Sequence, residues 1–316
     1  MKQFDPSILK QLYIPSPDSH KGANGKLMII GGSHLFHAAS LWALNIASRI
    51  VDMVFYSSVP ENNEIVAKAK EEFRNGIVVP REHIEAYIEE ADCVLIGPGM
   101  LRDERGISNF PAAAGSSGSR GKFQISNLDE INTIKNEGEQ TRYLTQYLLS
   151  KYPHKKWVID AGALQMMDPE WLRQLNGNVI LTPHHGEFER LFNFKFQMSN
   201  FKLTNGKIEK NEIVGKMARE HNSIILLKGQ KDIVCSPNEC VLIEGGNAGM
   251  TKGGTGDVLA GLVAALACKN ELWLAAQAGA YINKKAGESL AKRVGVNFNA
   301  SDLVDEIPKV MKEELR

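Results

Sequence analysis

Short apolar runs that stop abruptly at glycine or a polar residue recur along this chain. Lys26-Leu-Met-Ile-Ile30 stops at Gly31-Gly32-Ser33, and Cys93-Val-Leu-Ile96 stops at Gly97-Pro98-Gly99. Trp157-Val-Ile159 ends at Asp160, Val179-Ile-Leu181 at Thr182-Pro-His-His-Gly-Glu187, and Ile224-Ile-Leu-Leu227 at Lys228-Gly229. Runs this short and this continuously apolar suit strands buried on both faces. Residues 53–57 and 77–80 are further strand candidates. Helical spacing appears between them: residues 38–51 carry Leu41, Leu44, Ile46, Ala47 and Ile50, and residues 81–90 carry Ile84, Tyr87 and Ile88. A short helix is expected over residues 6–12. Apolar strands alternating with helices predict an α/β fold with a mostly parallel sheet covered on both faces. Ligands in such sheets bind at the carboxyl ends of the strands, so the polar strand ends are expected to converge on one crevice.

The stretch from Asn247 to Ala267 changes character midway. Val258, Leu259, Leu262, Val263 and Leu266 recur at helical spacing, and Gly253, Gly254 and Gly256 stand just before them. Glycines there let backbone N–H groups face outward at a helix start, where the dipole also favours negative charge. Asp257 falls in the first helical turn. Capping alone accounts for an Asp at a helix start, but three glycines within four residues exceed what a cap requires. An acid beside an anion hole suits a base that deprotonates a hydroxyl while amides hold phosphate charge. No Gly-Lys-Ser/Thr follows at Walker spacing, and there is no Gly-x-Gly-x-x-Gly fingerprint. A phosphoryl-transfer site of another type is the expectation.

Residues 101–153 break the strand–helix rhythm. Pro111-Ala-Ala-Ala-Gly-Ser-Ser-Gly-Ser-Arg-Gly121 reads as a mobile loop, and residues 127–150 read as helical, so an insertion at about 101–153 is expected within a single domain spanning 1–316. Thirty-seven basic and 37 acidic residues cancel, which removes any overall field toward nucleic acid or anionic membrane. No apolar run approaches a bilayer span of about 20 residues, and the N-terminus lacks a signal-peptide core, so a cytoplasmic protein is expected. Cys93, Cys235, Cys240 and Cys268 show no Cys-x-x-Cys spacing, which argues against zinc and against a disulfide framework. A homo-oligomer is expected, its subunit number open.

Six motifs together carry a family likeness: Lys21-Gly-Ala-Asn-Gly-Lys-Leu-Met-Ile-Ile-Gly-Gly-Ser33, Gly97-Pro-Gly99, Val158-Ile-Asp-Ala-Gly-Ala-Leu164, Leu181-Thr-Pro-His-His-Gly-Glu187, Leu227-Lys-Gly229 and Gly249-Met-Thr-Lys-Gly-Gly-Thr-Gly-Asp257. In this order they resemble the ADP- or ATP-dependent NAD(P)H-hydrate dehydratases of the ribokinase-like superfamily. The resemblance implies a three-layer αβα sandwich and a reaction that repairs hydrated NADH or NADPH. A nucleotide phosphorylates the hydroxyl left by hydration, and phosphate elimination restores the cofactor. It implies Asp257 as the catalytic base, with Gly254, Thr255 and Gly256 holding the transferred group. Ala39, Gly99, His184 and Asp257 fall at dinucleotide-binding positions. Lys228, Gly229, Gln230, Lys231, Asp232 and Gly256 fall at nucleotide-binding ones. Glu187 resembles the Asn-x-x-Glu element that orders Mg2+.

The chain departs from the family pattern at four places. Ala38-Ala39 replaces Gly-Ala, Asn247-Ala-Gly-Met250 lacks the usual proline, Asp232 stands where Thr is common, and the segment after Gly99 is longer. The epimerase partner domain frequent in the family is not expected, since it would need room before Lys21. Asp160 reads as structural, with metal positioning as the alternative; Lys252 reads equally as a phosphate ligand or a solvent-facing side chain. A His34, His37 and His184 metal cluster has no spacing rule behind it. Leu191-Phe-Asn-Phe-Lys-Phe196 reads as core and helix end rather than a base platform. Two other functions stay in view: a small-molecule kinase sharing Asp257, and a binding protein without turnover.

Overall fold

The computed structural model describes residues 1–103, 127–194 and 210–315. Every apolar run noted above forms a strand: β2 (Lys26–Ile30), β3 (Met53–Ser57), β5 (Cys93–Ile96), β6 (Lys156–Ile159), β7 (Val179–Leu181) and β8 (Ile224–Leu227), with β4 reduced to Ile77–Val78. Three further strands, β1 (Lys2–Gln3), β9 (Asp232–Cys235) and β10 (Cys240–Ile243), complete a sheet of order β1-β10-β9-β8-β7-β6-β5-β2-β3-β4. The strands β8-β7-β6-β5-β2-β3-β4 run parallel, whereas β9 is antiparallel to both its neighbours.

Alternate residues of each central strand enter opposite cores. Leu27, Ile29, Leu95, Val158, Ile180 and Leu226 face one side; Met28, Ile30, Ile96, Trp157, Leu181 and Leu227 face the other. The first core is closed by α1 (Ala38–Ala47), α9 (Thr255–Lys269), α10 (Leu272–Val294) and α11 (Ala300–Glu314). The second is closed by α3 (Ile84–Glu90), α4 (Leu128–Asn132), α5 (Glu137–Lys151), α6 (Ala161–Met166), α7 (His185–Leu191) and α8 (Lys210–Glu220). The helix α2 (Pro60–Phe73) follows β3. Helices on both faces of a mainly parallel sheet make the three-layer sandwich. The backbones of α1 and α9 meet closely, since a Cβ at Gly261 would lie 2.6 Å from the Ala43 Cα.

Several boundaries shift for local reasons. The helix expected to reach residue 51 stops at Ala47, because Arg49 and Ile50 bond the carbonyls three residues back and tighten its last turn. The 81–90 helix opens as a 3-10 turn, Arg81–His83, after Pro80. The single helix expected over 127–150 is two, each capped by an asparagine: Asn127 accepts the Glu130 N–H and Asn136 accepts the Glu139 N–H. The 111–121 loop lies outside the described residues. No described helix is long and apolar enough to cross a membrane.

The cysteine expectation is corrected. Cys235 and Cys240 are joined by a disulfide. They are direct partners across the β9–β10 hairpin, a pairing that depends on strand register and has no spacing signature in the chain. Cys93 and Cys268 are free and buried.

Candidate active site

The glycine turn before α9 is shaped by packing. Gly254 takes φ 93°, in the left-handed region, and a Cβ there would lie 2.3 Å from a Trp42 ring carbon. Gly253 faces open space. The Thr255 hydroxyl is held inside the turn by the carbonyls of Met250 (2.7 Å) and Lys252 (2.9 Å). The amides of Gly256 and Asp257 lie in the first helical turn, where the helix ladder supplies no acceptor. Where the usual proline is missing, Asn247 locks the approach: its Oδ1 accepts the Gly249 N–H and its Nδ2 donates to the Gly287 carbonyl.

Lys228 closes the other wall. It continues from β8, bridged in parallel to His184 beyond β7, and its N–H bonds the Pro183 carbonyl at 2.8 Å. Its Nζ donates to Asp160 Oδ1 at 2.8 Å and stands 3.9 Å from Glu187 Oε2. A Cβ on Gly256 would be 3.5 Å from that ammonium. Burial would lower the Lys228 pKa, but the Asp160 and Glu187 carboxylates outweigh it and hold the pKa above its ordinary value. Asp160 is buried and also accepts from the Thr182 hydroxyl at 2.8 Å. The residue after it, Ala161, is held at φ 44°, a strained conformation for alanine.

Asp257 therefore lies in the field of a half-buried lysine and two further carboxylates. Burial, reinforced by Asp160 and opposed by Lys228, pushes its pKa up to about 7. A carboxylate poised there exchanges protons readily at neutral pH, beside amides that favour negative charge.

The residues expected on the dinucleotide side, Ala39, Gly99 and His184, follow the ends of β2, β5 and β7. A Cβ at Gly99 would sit 3.1 Å from the Ala39 Cβ, so these two share one surface. Ala39 lies one turn before Trp42, which packs on Gly254. His184 begins α7 as half of a capping box. Its Nδ1 accepts the Glu187 N–H at 3.1 Å, which places any proton of the neutral ring on Nε2. Glu187 in turn accepts the His184 N–H at 2.8 Å and the Gln165 amide at 3.1 Å.

The residues expected on the nucleotide side divide. Gly229 follows Lys228 at the wall, while Gln230 and Lys231 are exposed, Lys231 pairing with Glu244. Asp232 is buried and shapes the loop: it accepts the Gly229 N–H at 2.9 Å and lies 3.3 Å from Lys284 Nζ. The offset for its charge thus comes from Lys284 and not from Lys231. Lys252 donates to the Val296 carbonyl and covers the Phe298 ring.

His34 pairs with Glu137 and His37 with Asn62, leaving neither beside His184. No group of three or more His, Cys, Asp or Glu side chains is arranged to hold a metal among the described residues. Of the 191–196 segment, α7 ends at Leu191 and Phe192 packs on Phe188 and His221; residues 195 and 196 lie outside the described residues.

Sequence reasoning singled out Asp160 from its strand-end position, as structural or metal-positioning, and missed Gln165, Trp42 and Lys284. Lys284 lies mid-helix, 52 residues beyond Asp232, and carries no such signal.

Comparison with known proteins identifies the family and the fold. The family model described as NAD(P)H-hydrate dehydratase matches residues 128–309. The ADP-dependent (S)-NAD(P)H-hydrate dehydratase of Nitrosopumilus maritimus is 33% identical over 321 residues, covering 97% of this chain and 96% of that protein. The bifunctional NAD(P)H-hydrate repair enzyme of Methanocaldococcus jannaschii is 33% identical over 312 residues, covering 96% of this chain and 51% of that protein. The chain thus spans about half the length of the bifunctional relatives. The Bacillus subtilis ADP/ATP-dependent NAD(P)H-hydrate dehydratase, co-crystallised with ATP/Mg2+, superposes with TM-score 0.72 at 20% identity, covering 99% of this chain and 98% of that one. A ribokinase-like protein of Enterococcus faecalis gives 0.75 at 20% identity, with 99% and 96% covered. The fold is therefore ribokinase-like.

Proposed function

Since the chain belongs to the NAD(P)H-hydrate dehydratase family, we propose that its crevice restores hydrated NADH and NADPH at the expense of a nucleotide phosphate. One observation carries the reading: a carboxylate with a pKa of about 7, at a glycine-opened helix start, beside a half-buried lysine. Asp257 takes the proton from the hydroxyl that hydration left on the nicotinamide ring. The oxygen attacks the terminal phosphorus of the donor, and the bridging P–O bond breaks toward the departing nucleotide. Lys228 and the Gly256 and Asp257 amides face the charge that develops. The ring C–O bond then breaks, phosphate leaves with the electron pair, and loss of a ring proton restores the double bond. ATP would yield ADP, ADP would yield AMP, and no oxidant is required.

Ala39, Gly99 and His184 line the dinucleotide side, and Lys228, Gly229 and the loop shaped by Asp232 line the donor side. ADP is the donor proposed first, because the Nitrosopumilus relative is named for it. Three carboxylates (Asp160, Glu187 and Asp257) share one ammonium here, so a bound polyphosphate adds to a surplus of negative charge. A magnesium ion carried by nucleotide phosphates takes only one or two protein carboxylates, and Glu187 is of the right ligand type to supply one. Glu187 would orient the ion, whose contribution would be neutralisation of phosphate charge.

The test is direct. Protein, Mg2+ and NADPH hydrate are mixed with ADP or with ATP, and the dihydronicotinamide absorbance is followed. Recovery with ADP is the expected result. Absence of turnover with both nucleotides would overturn the assignment.

A further inference from the structure

Among the described residues, two arginines at the crevice rim stand together without an acidic partner. Arg102 lies three residues beyond Gly99 and is exposed; Arg190 lies on α7, three residues beyond Glu187, and is half-buried. Burial and the positive charge of Arg102 hold the Arg190 guanidinium below its ordinary pKa, so the two cations are close enough to repel. Among the described residues, neither forms an ion pair with a carboxylate. Arg102 has one polar partner, with Nη1 donating to Gln165 Oε1 at 3.1 Å. The same Gln165 donates through Nε2 to Glu187 Oε1, also at 3.1 Å. The pair is therefore tied through one side chain to the carboxylate that faces Lys228.

Placing like charges together destabilises a fold unless an anion relieves them. A helix C-terminus accounts for one cation, Arg190, in the last turn of α7. It does not account for a second beside it. Position narrows the anion. The strand order runs β9-β8-β7-β6-β5-β2, with the donor loop beyond β8. Arg102 follows β5, Gln165 follows β6 and Arg190 follows β7, on the side of Gly99 and His184. The geometry points to Arg102 and Arg190 as a phosphate-recognition pair for the dinucleotide substrate, an assignment that rests on the dehydratase reading. Guanidinium groups suit that role, since their planar forks bond phosphate oxygens bidentately. A hydrated dinucleotide offers two such groups: the pyrophosphate, common to both forms, and the extra ribose phosphate of the NADP form.

Equilibrium binding decides the matter without turnover. Nicotinamide fluorescence gives the dissociation constants of NADPH and NADH for the wild type, Arg102→Gln, Arg190→Gln and the double variant; calorimetry gives that of ADP. Each single substitution is expected to weaken dinucleotide binding about tenfold, and the double substitution further, with ADP binding unchanged. A rise confined to NADPH places the pair on the ribose phosphate; equal rises for NADPH and NADH place it on the pyrophosphate; both uphold the inference. Arg→Lys variants should recover part of the loss. Unchanged dinucleotide binding in the double variant, or an equal loss for ADP, would overturn it. Because the readout is binding, failure of the hydrate assay and failure of this pair remain distinguishable.

Discussion

Two lysine–aspartate pairs flank the 229–231 loop, and they do opposite things. Lys284 and Asp232 have side chains 6% exposed each. Besides facing Asp232, the Lys284 ammonium donates to the carbonyls of Gly229 (3.2 Å) and Gln230 (3.1 Å), with that of Gly245 at 3.5 Å. An ammonium has three protons, and here the protein takes them all. Lys228 and Asp160 have side chains 17% and 2% exposed. Lys228 makes one close hydrogen bond, to Asp160, and its second carboxylate, Glu187, stands at 3.9 Å. The ammonium also stands 3.5 Å from where a Cβ on Gly256 would lie, and its charge acts on Asp257. The same residue types make a structural clamp in one pair and a ligand-ready charge in the other. What separates them is how many of the lysine's donors the fold satisfies.

The largest test of that contrast is Asp257→Asn. Removing the base should lower kcat by about 10²–10⁴ in the hydrate assay; near-normal turnover would refute its role. Next come the two lysines, exchanged one at a time. Lys228→Met should cost about 10²–10³ in kcat, as for loss of a preorganised charge at a transferring phosphoryl group, with a smaller change in denaturant midpoint. Lys284→Met leaves Asp232 buried and unpaired, and should lower unfolding stability by about 3–5 kcal/mol in denaturant titrations. If Lys284→Met leaves the midpoint untouched, the clamp assignment fails.

The pH dependence comes next. The base must be ionised, so kcat/KM should fall about tenfold per pH unit below about 7. For stability the sign is opposite. The folded-state pKa of Asp257 lies above its ordinary value of 3.8, so its contribution is fully present below about pH 3.8 and lost as pH rises through about 7. Asp257→Asn should therefore gain thermal stability between those limits and hold the gain above them, by roughly 6 °C. The smallest effect expected is from Cys235→Ser with Cys240→Ser. The bridge closes a short loop, so its loss should cost about 2 kcal/mol or less.

The central strands and the helix carrying Asp257 were legible because burial imposes a local signature. A strand covered on both faces must be continuously apolar, and it must stop where a ligand or solvent begins. The antiparallel β9–β10 hairpin was not legible. Its strands are short and their pairing is a register between segments, so the Cys235–Cys240 bridge was invisible too. The rim arginines, Arg102 and Arg190, are 88 residues apart in the chain and became neighbours only through the sheet order.

The glycine turn shows where local chemistry ends. By itself the chain determined that Gly253, Gly254 and Gly256 open a helix start beside an acid, because backbone freedom and amide direction are local properties. Only the tertiary structure decided that Asp257 would titrate near neutrality. Its pKa is set by burial and by Asp160 and Lys228, residues brought in from β6 and β8. Tertiary structure likewise decided that Asp232, out of place beside phosphates when read in the chain, would be held by Lys284 beneath the loop. Charge effects depend on distance through space, and the order of residues along the chain does not supply that distance.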